Sequence, residues 1–171
     1  MIARLTTLSL IALLTLLPMA AHAKDKTDLL GSFRKWDAFK LTASNGAVSC
    51  YMVSKPTKTA PQGASRGKIY TTITHRPNMK IKNEVNVIVG YPFTLNKSAT
   101  ATVDNRSFSM FTDGDGAWLR TPKEDSDMVA AMKRGNALVF RGMSKRGTAT
   151  RDTYSLSGFT AAHNAITKAC K

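Results

Sequence analysis

The sequence is poor in cysteine, in histidine and in acidic residues. Its 171 residues include two cysteines and three histidines, which excludes a scaffold of several disulfides and a zinc module built on four cysteines. Eleven Asp and Glu stand against 25 Lys and Arg, so the formal charge is +14 and negatively charged partners are favoured. The apolar fraction of 43% is enough for a hydrophobic core, which excludes a disordered polybasic chain. The length predicts a single domain.

Long apolar runs are also absent outside the N-terminus. Leu5–Leu17 is largely apolar and uncharged, but it is shorter than the roughly 20 residues of a membrane-spanning helix. Arg4 precedes this run, Pro18 ends it, and Ala21-His-Ala23 has the small-x-small pattern of a signal peptidase site. We predict a signal peptide of residues 1–23, cleaved after Ala23, with a retained anchor as the alternative. Residues 24–171 then form one exported domain that is not transmembrane after processing, and that is periplasmic, secreted or at the cell surface.

Export determines how the two cysteines are interpreted. An even pair in an oxidising compartment predicts a disulfide between Cys50 and Cys170. The loop that this bridge closes is about 120 residues long, and the chain-entropy model then gives a stabilisation of about 4.5–5 kcal/mol. A free buried pair and a metal site are the alternatives, and only His75 and His163 remain after cleavage as histidine ligands.

Short runs of alternating apolar and polar residues dominate the rest of the chain. Val85, Val87 and Val89 are typical, and the turn residues Asn45-Gly46 and Asp113–Gly116 separate such runs. Many short strands at this spacing predict a mostly β protein, an antiparallel, jelly-roll-like β-sandwich. The other predicted strands contain residues 48–52, 69–74, 99–103, 108–110, 117–119, 138–140 and 154–156.

Two helices interrupt this pattern. Thr121 and Glu124 have capping-box spacing, with Pro122 at the first helical position and Gly135 as the stop signal. A second helix is predicted to follow Ser157 as its N-cap. Its apolar residues fall within one stripe of roughly 100° and comprise Phe159, Ala162, Ile166, Ala169 and Cys170. Cys170 therefore faces the core, and a bridge to Cys50 would pin this helix to an early strand.

The segment Ser54–Gly67 is different, because it has two prolines, two glycines and no large apolar side chain. This composition predicts a mobile surface loop. The segment is long for a connection within a compact domain, which favours a functional or a disordered loop.

The sequence offers little that is typical of catalysis. His75 can be interpreted as a general base or as a polar residue at a strand end, and His163 as a ligand or a packing residue; we favour the second interpretation of each. Asp113 and Asp115 resemble the start of a calcium loop, but the ligand spacing fails at Ala117, which favours a hairpin turn. The tryptophans, Trp36 and Trp118, are typical of sugar stacking or of packing, and we favour packing.

The distribution of charge is more informative. Residues 38–83 and 133–151 contain no Asp or Glu and carry many Lys and Arg. Such segments can attract phosphate, sulfate or lipid headgroups, although a solvated basic surface without a specific partner is the alternative. The candidate surface for an anionic partner comprises Lys55, Lys58, Arg66, Lys68, Lys145, Arg146 and Arg151.

One string in the C-terminal third is distinctive: Ser144-Lys-Arg-Gly-Thr148, then Asp152-Thr-Tyr-Ser-Leu-Ser-Gly-Phe159, then Ala161-Ala162 and a final Cys170. With upstream features it resembles the invasion-associated locus B family of bacterial exported proteins. Lys145 replaces the small residue that is usual in this family before Arg-Gly-Thr. The upstream features are Trp36, Cys50, Gly90-Tyr-Pro92, residues 108–118 and Ala131-Met-Lys-Arg-Gly135.

The resemblance implies an exported β-sandwich of the periplasm or cell surface, in a family linked to host-cell invasion and virulence. It offers no catalytic residue, cofactor or metal ligand, and it carries over the cysteine pair. We therefore predict a non-enzymatic interaction protein with no cofactor, whose partner is an envelope or host protein or an acidic glycan or lipid surface; no nucleic acid is expected. A binder of acidic polymers, such as lipopolysaccharide or sulfated glycans, is the second hypothesis. A hydrolase of unknown substrate is the third.

Overall fold

The computed structural model describes residues 24–171, so the predicted signal peptide and its cleavage site after Ala23 lie outside the described residues. The described part is mostly antiparallel β-sheet with two α-helices, and the predicted fold class is confirmed. In chain order the elements are β1 (Lys26–Phe33), β2 (Trp36–Thr42), β3 (Val48–Ser54), β4 (Lys58–Ala60), β5 (Tyr70–Arg76), a 3-10 helix (Pro77–Met79), β6 (Ile81–Ile88), β7 (Ala99–Val103), β8 (Arg106–Asp113), β9 (Gly116–Trp118), α1 (Pro122–Arg134), β10 (Ala137–Met143), β11 (Ala149–Ser155) and α2 (Phe159–Ala169).

Hydrogen bonds join all the strands in the order β1-β2-β3-β5-β6-β9-β8-β7-β10-β11-β4. The strand β8 belongs to both halves of this sheet, because residues 106–110 pair with β7 and residues 111–113 pair with β9. The two halves meet again where the indole Nε1 of Trp36 on β2 donates to the carbonyl oxygen of Ser155 on β11, at 3.0 Å. Inward side chains from both halves therefore form one core cluster.

The alternation read from the sequence places the core residues. Val85 and Val87 on β6 are fully buried, as are Leu138 and Phe140 on β10 and Tyr154 on β11. Each residue two positions along a strand returns to the same face, so the apolar half of each run packs inward. Complete burial of one such aliphatic or aromatic side chain contributes about 1.5–3 kcal/mol.

The helix α1 begins as the capping box predicts. The side chain of Thr121 accepts a hydrogen bond from the backbone N–H of Glu124, and the Glu124 carboxylate accepts one from the backbone N–H of Thr121. Acidic residues lie in its first turn and basic residues in its last turn, in accord with the helix dipole. Its buried side chains, which include Met128 and Met132, join the core beside β6.

The helix α2 is fixed by the predicted disulfide. Cys50 on β3 is bonded to Cys170, with the two Cα atoms 5.9 Å apart, so the end of the helix is tied to the third strand. Phe159, Ala162 and Ile166 face the core, as the apolar stripe predicts. The prediction of Ser157 as N-cap is wrong, because Gly158 holds that position with a φ of 92°.

The glycine at 158 is required by close approach. A Cβ atom on Gly158 would overlap the carbonyl oxygen of Phe33 at the end of β1, and a left-handed φ is costly for any other residue. Glycine here lets the chain turn tightly from β11 into the helix while the helix starts against β1.

The prediction that Ser54–Gly67 is wholly a loop is also wrong. Residues Lys58–Ala60 form the edge strand β4, which pairs with residues Arg151–Thr153 of β11. The backbone N–H of Thr57 adds a 2.7 Å hydrogen bond to the carbonyl oxygen of Thr153. An edge strand needs only backbone groups for its ladder, so an exposed strand without apolar side chains forms where a neighbour offers a free edge.

Candidate functional site

Three of the predicted surface cations surround the segment Gly90–Pro92. Lys145 and Arg146 lie in the turn between β10 and β11 and line a groove of about 700 Å³ beside Tyr91 and Pro92. The backbone N–H of Lys145 donates to the carbonyl oxygen of Pro92 at 2.8 Å, which fixes this turn. Lys68 lies on the other side of the same segment, in a neighbouring cavity. The fold therefore brings together cations that are far apart in the sequence.

Two more of these cations meet on the edge of the sheet. Lys58 on β4 and Arg151 on β11 line one open cavity of about 790 Å³. Lys55 lies in a different cavity, next to Arg34 and Lys35. All three predicted cations are exposed, so each can reach an anionic partner, but Lys55 does so from a separate place.

Arg66 is the member of the predicted surface that the structure corrects. Its side chain is 5% exposed, and its guanidinium makes two hydrogen bonds of 2.7 and 2.6 Å to the two carboxylate oxygens of Asp152, which is fully buried. Its Nε also donates to the carbonyl oxygen of Val89. The guanidinium is thus hydrogen-bonded to partners inside the protein. Arg66 therefore anchors its loop to β11 and does not present its charge to solvent.

A polar layer surrounds this ion pair, and we call these residues the arginine junction: Arg66, Asp152, Tyr91, Thr150 and Tyr154. The Arg66 guanidinium lies 5.1 Å from the centre of the Tyr91 ring, and the Tyr91 hydroxyl is 2.5 Å from that of Thr150. Burial raises the pKa of both tyrosine hydroxyls. Burial alone would lower the pKa of Arg66, but hydrogen bonding and attraction to Asp152 outweigh it and raise that pKa.

A further cationic feature comes from the register of the β10–β11 hairpin. Arg141 stands directly opposite Arg151, and both side chains are exposed. Within residues 24–171, neither arginine belongs to an ion pair, and Lys58 does not either. Sequence reasoning did not single out Arg141. The spacing contained the information, because Arg141 and Arg151 each lie five residues from the turn centre at Arg146 and are therefore opposite each other in a hairpin.

His75, predicted as a polar residue at a strand end, and His163, predicted as a packing residue, meet under α2. With Asn83 and Thr167 they form what we call the histidine junction. The imidazole ring centres of His75 and His163 are 5.4 Å apart, with the ring planes at nearly a right angle. His75 is 3% exposed and His163 is 4% exposed. The Nδ1 of His75 accepts a 3.0 Å hydrogen bond from the backbone N–H of Asn83, and its Nε2 lies 3.2 Å from the Thr167 hydroxyl. The geometry agrees with both favoured interpretations, since His75 is a polar residue next to the end of β5 and His163 packs as a buried residue of α2. The sequence did not predict that the two rings meet.

The hydrogen bonds of this junction suit neutral imidazoles. The His163 Nε2 is 2.8 Å from the side-chain oxygen of Asn83, which can only accept, so Nε2 carries the proton. The Nδ1 of His75 faces an N–H donor, so it carries none. Burial, together with nearby Lys82 and Lys133, lowers the pKa of His75 and lowers that of His163 to about 4.

Asp125 on α1 is a buried carboxyl group whose pKa is raised. It accepts a 2.9 Å hydrogen bond from the backbone N–H of Val85. Burial outweighs that bond, and with the neighbouring charges of Glu84 and Glu124 it raises the pKa of Asp125 to about 6. This carboxyl group attaches the start of α1 to β6.

Between residues 24 and 171, no three His, Cys, Asp or Glu side chains are grouped so that they can hold a metal ion. None of the helices in that range is long and apolar enough to cross a membrane. The geometry provides a set of exposed cations on the sheet and in its connecting segments, which belong to no ion pair within residues 24–171 and attract anions, and two buried polar junctions that hold the fold together.

Comparison with known proteins gives two matches. The sequence model of a family described as "Invasion associated locus B (IalB) protein" matches residues 36–167. Among solved structures, the crystal structure of invasion associated protein B from Bartonella henselae is similar, with a TM-score of 0.56 and 14% sequence identity over 81% of this chain and 96% of that one. That likeness concerns the fold. The search of curated proteins gave no match.

Proposed function

We infer, because this chain belongs to the invasion associated locus B family, that it is an exported, non-enzymatic interaction protein linked to host-cell invasion or to the function of the cell envelope. Its proposed location is the periplasm, the cell surface or the secreted fraction. The single observation that supports an interaction role is the set of exposed cations outside every ion pair of residues 24–171, on a sheet braced by a disulfide. An exposed face with charge of one sign steers and orients an oppositely charged partner.

The non-enzymatic part of this proposal is supported by the histidine junction. His75 and His163 are buried and hydrogen-bonded to neighbours within the fold, so each has a structural use. A hydrolase that used either ring as a base would need it beside a nucleophile and a substrate. Hydrolysis of chromogenic ester, phosphate or glycoside substrates that is abolished by His75→Asn would overturn this part.

The partner is tested by crosslinking in the native envelope. Protein carrying a photoreactive crosslinker near the turn at Lys145 and Arg146 should yield one dominant adduct, which excess unlabelled protein should compete away. The variant Lys145→Gln/Arg146→Gln should lose the adduct, whereas Arg120→Gln/Arg134→Gln, which removes the same charge from exposed positions near α1, should keep it. Adducts that resist competition, or that persist in the first variant, would contradict the proposal.

A second function, binding of acidic polymers, is favoured by the cavity that Lys58 and Arg151 share and by the cations around Tyr91. Such binding is electrostatic, so its affinity should fall steeply as salt screens the charges. Titration of heparin into the protein between about 50 and 300 mM salt should show at least a tenfold loss of affinity. Equal affinity at both salt concentrations would remove this function and leave the partner-protein function intact.

A further inference from the structure

The strand register places one row of side chains across five strands on the outer face of the sheet. The row runs from Ala60 on β4 through Arg151, Arg141 and Thr100 to Ser109 on β8. Neighbouring strands are spaced about 4.8 Å apart, so the row extends over about 19 Å. We propose that this row is a binding site for a glycan that carries sulfate or phosphate esters, with one ester group held between the guanidinium groups of Arg141 and Arg151.

The cationic end of the row lacks acidic neighbours. The residues that flank the two arginines in the row are Ala60 and Thr100, and in the next row of the same face Lys58 stands opposite Thr153. Asp152, the adjacent acid, points into the core and is bound to Arg66. The charge of this corner is therefore positive, with no carboxylate in the two rows to satisfy it.

Two arginines at directly opposite positions are unfavourable unless something lies between them. Cβ atoms of directly opposite residues are about 5 Å apart, and like charges there destabilise the strand pair. A tetrahedral oxyanion reverses this, because each guanidinium can donate two parallel hydrogen bonds to it. Lys58, in the next row, adds a third cation beside the pair.

The rest of the row indicates that the anion belongs to a glycan. In these two rows, the outer face beyond Arg141 carries hydroxyl groups, from Thr100 and Thr102 on β7 and from Ser107 and Ser109 on β8. The next residue on that face of β8 is Phe111, which stacks on Trp118. The hydroxyls of Thr102 and Ser107 are 3.1 Å apart and largely on the outside of the sheet. Hydroxyl side chains can exchange hydrogen bonds with sugar hydroxyls and offer nothing to an acyl chain. A charged sugar unit at the arginines would place the following units along this strip.

This inference rests on the proposed binding of acidic polymers, and it is tested with defined probes. Affinities for dextran sulfate, for the carboxylate polymer polygalacturonate and for phosphatidylglycerol vesicles are measured on Arg141→Gln/Arg151→Gln and on the charge-matched control Arg120→Gln/Arg134→Gln. We expect dextran sulfate to bind wild type and control alike, and the first variant about tenfold to a hundredfold more weakly, since it loses charged hydrogen bonds. Polygalacturonate and vesicles should bind weakly to all three proteins.

Each contrary result has its own meaning. If wild type binds none of the polymers, the acidic-polymer function itself fails. If dextran sulfate binds with steep salt dependence but equally to all three proteins, that function stands and the assignment to the arginine row is overturned. If the first variant loses polygalacturonate binding as strongly as dextran sulfate binding, the preference for tetrahedral esters is overturned. If the wild type binds only the vesicles tightly, the assignment of the ligand as a glycan is overturned.

Folding of the variants is checked by thermal unfolding. Arg141→Gln removes a like-charge pair, so the unliganded variant should be at least as stable as the wild type. Dextran sulfate should raise the melting temperature of the wild type and of the control more than that of Arg141→Gln. Equal rises in all three proteins would contradict the site.

Discussion

The arginine junction and the histidine junction solve the same problem in opposite ways. Both contain ionisable side chains that the fold has removed from water, and both connect elements distant in the sequence. The arginine junction keeps its charge, because Arg66 and Asp152 neutralise each other through two hydrogen bonds. The histidine junction has no counter-ion among its hydrogen-bond partners, so its rings stay neutral. The first should therefore be sensitive to mutation of either partner, and the second to pH.

The largest expected effect comes from breaking the charged junction. Asp152→Asn leaves the guanidinium of Arg66 buried beside a neutral amide, and we expect a loss of about 3–5 kcal/mol in the free energy of unfolding. Urea unfolding of Asp152→Asn, Arg66→Met and the double variant measures this. The double variant should lose less than the sum of the two single variants, since the pair is coupled. Additive losses would mean that the two side chains act independently.

The next effect concerns the disulfide, which braces only the histidine side. Cys50→Ala/Cys170→Ala should lower the free energy of unfolding by about 2–5 kcal/mol. Hydrogen exchange should show that amides of α2 lose protection, while those of residues 66 and 89–91 near the arginine junction change little. Wild type treated with reductant is the matched control and should behave as the variant does. Uniform loss of protection throughout the sheet would contradict this local role.

A smaller effect is expected when the pH is lowered. The folded-state pKa of His163 is about 4 and that of His75 is also lowered, so between pH 6.5 and about 4 the unfolded chain binds more protons than the folded one. Lowering the pH through this range therefore lowers the free energy of unfolding, by about 1–2 kcal/mol after allowance for solvent screening. Asp125, whose pKa is raised to about 6 in the folded state, acts in the opposite direction between pH 6 and 3.8.

The pH effect is isolated with a variant that keeps the hydrogen bonds. The substitution His75→Asn retains an acceptor for the backbone N–H of Asn83. The substitution His163→Gln retains a donor for the side-chain oxygen of Asn83. The double variant His75→Asn/His163→Gln combines both changes. The difference in unfolding free energy between wild type and this double variant should shrink as the pH falls. The stability of the double variant itself should rise as the pH falls, because Asp125 still titrates. Parallel curves for the two proteins would show that the histidines do not titrate in this window.

Local sequence patterns predicted most of the fold. Alternation at Val85 and Val87 identified a strand, Thr121 and Glu124 identified a helix start, and the apolar stripe through Ile166 correctly oriented Cys170. Each of these depends on residues a few positions apart, where geometry is set by the period of one element.

The features that the sequence did not predict depend on contacts between distant segments. Arg66 and Asp152 are 86 residues apart, so no local pattern connects them. A buried arginine also looks the same in the sequence as an exposed one. The strand β4 has no apolar alternation, since its pairing depends on the free edge of β11. The candidate row of Arg141 and Arg151 lies between these cases, because a hairpin with its turn near Arg146 defines its own register.

The packing of Trp36 gives the protein an internal optical reporter. Its indole is 1% exposed and lies edge-on to Phe159 of α2, with the ring centres 5.0 Å apart, and Phe159 in turn stacks on His163. Trp118 stacks on Phe111 at the β8–β9 pairing and is only partly buried. The intrinsic emission therefore combines two environments, and in a Trp118→Phe background the wavelength of the remaining fluorescence reports specifically whether the C-terminal helix is seated on the sheet.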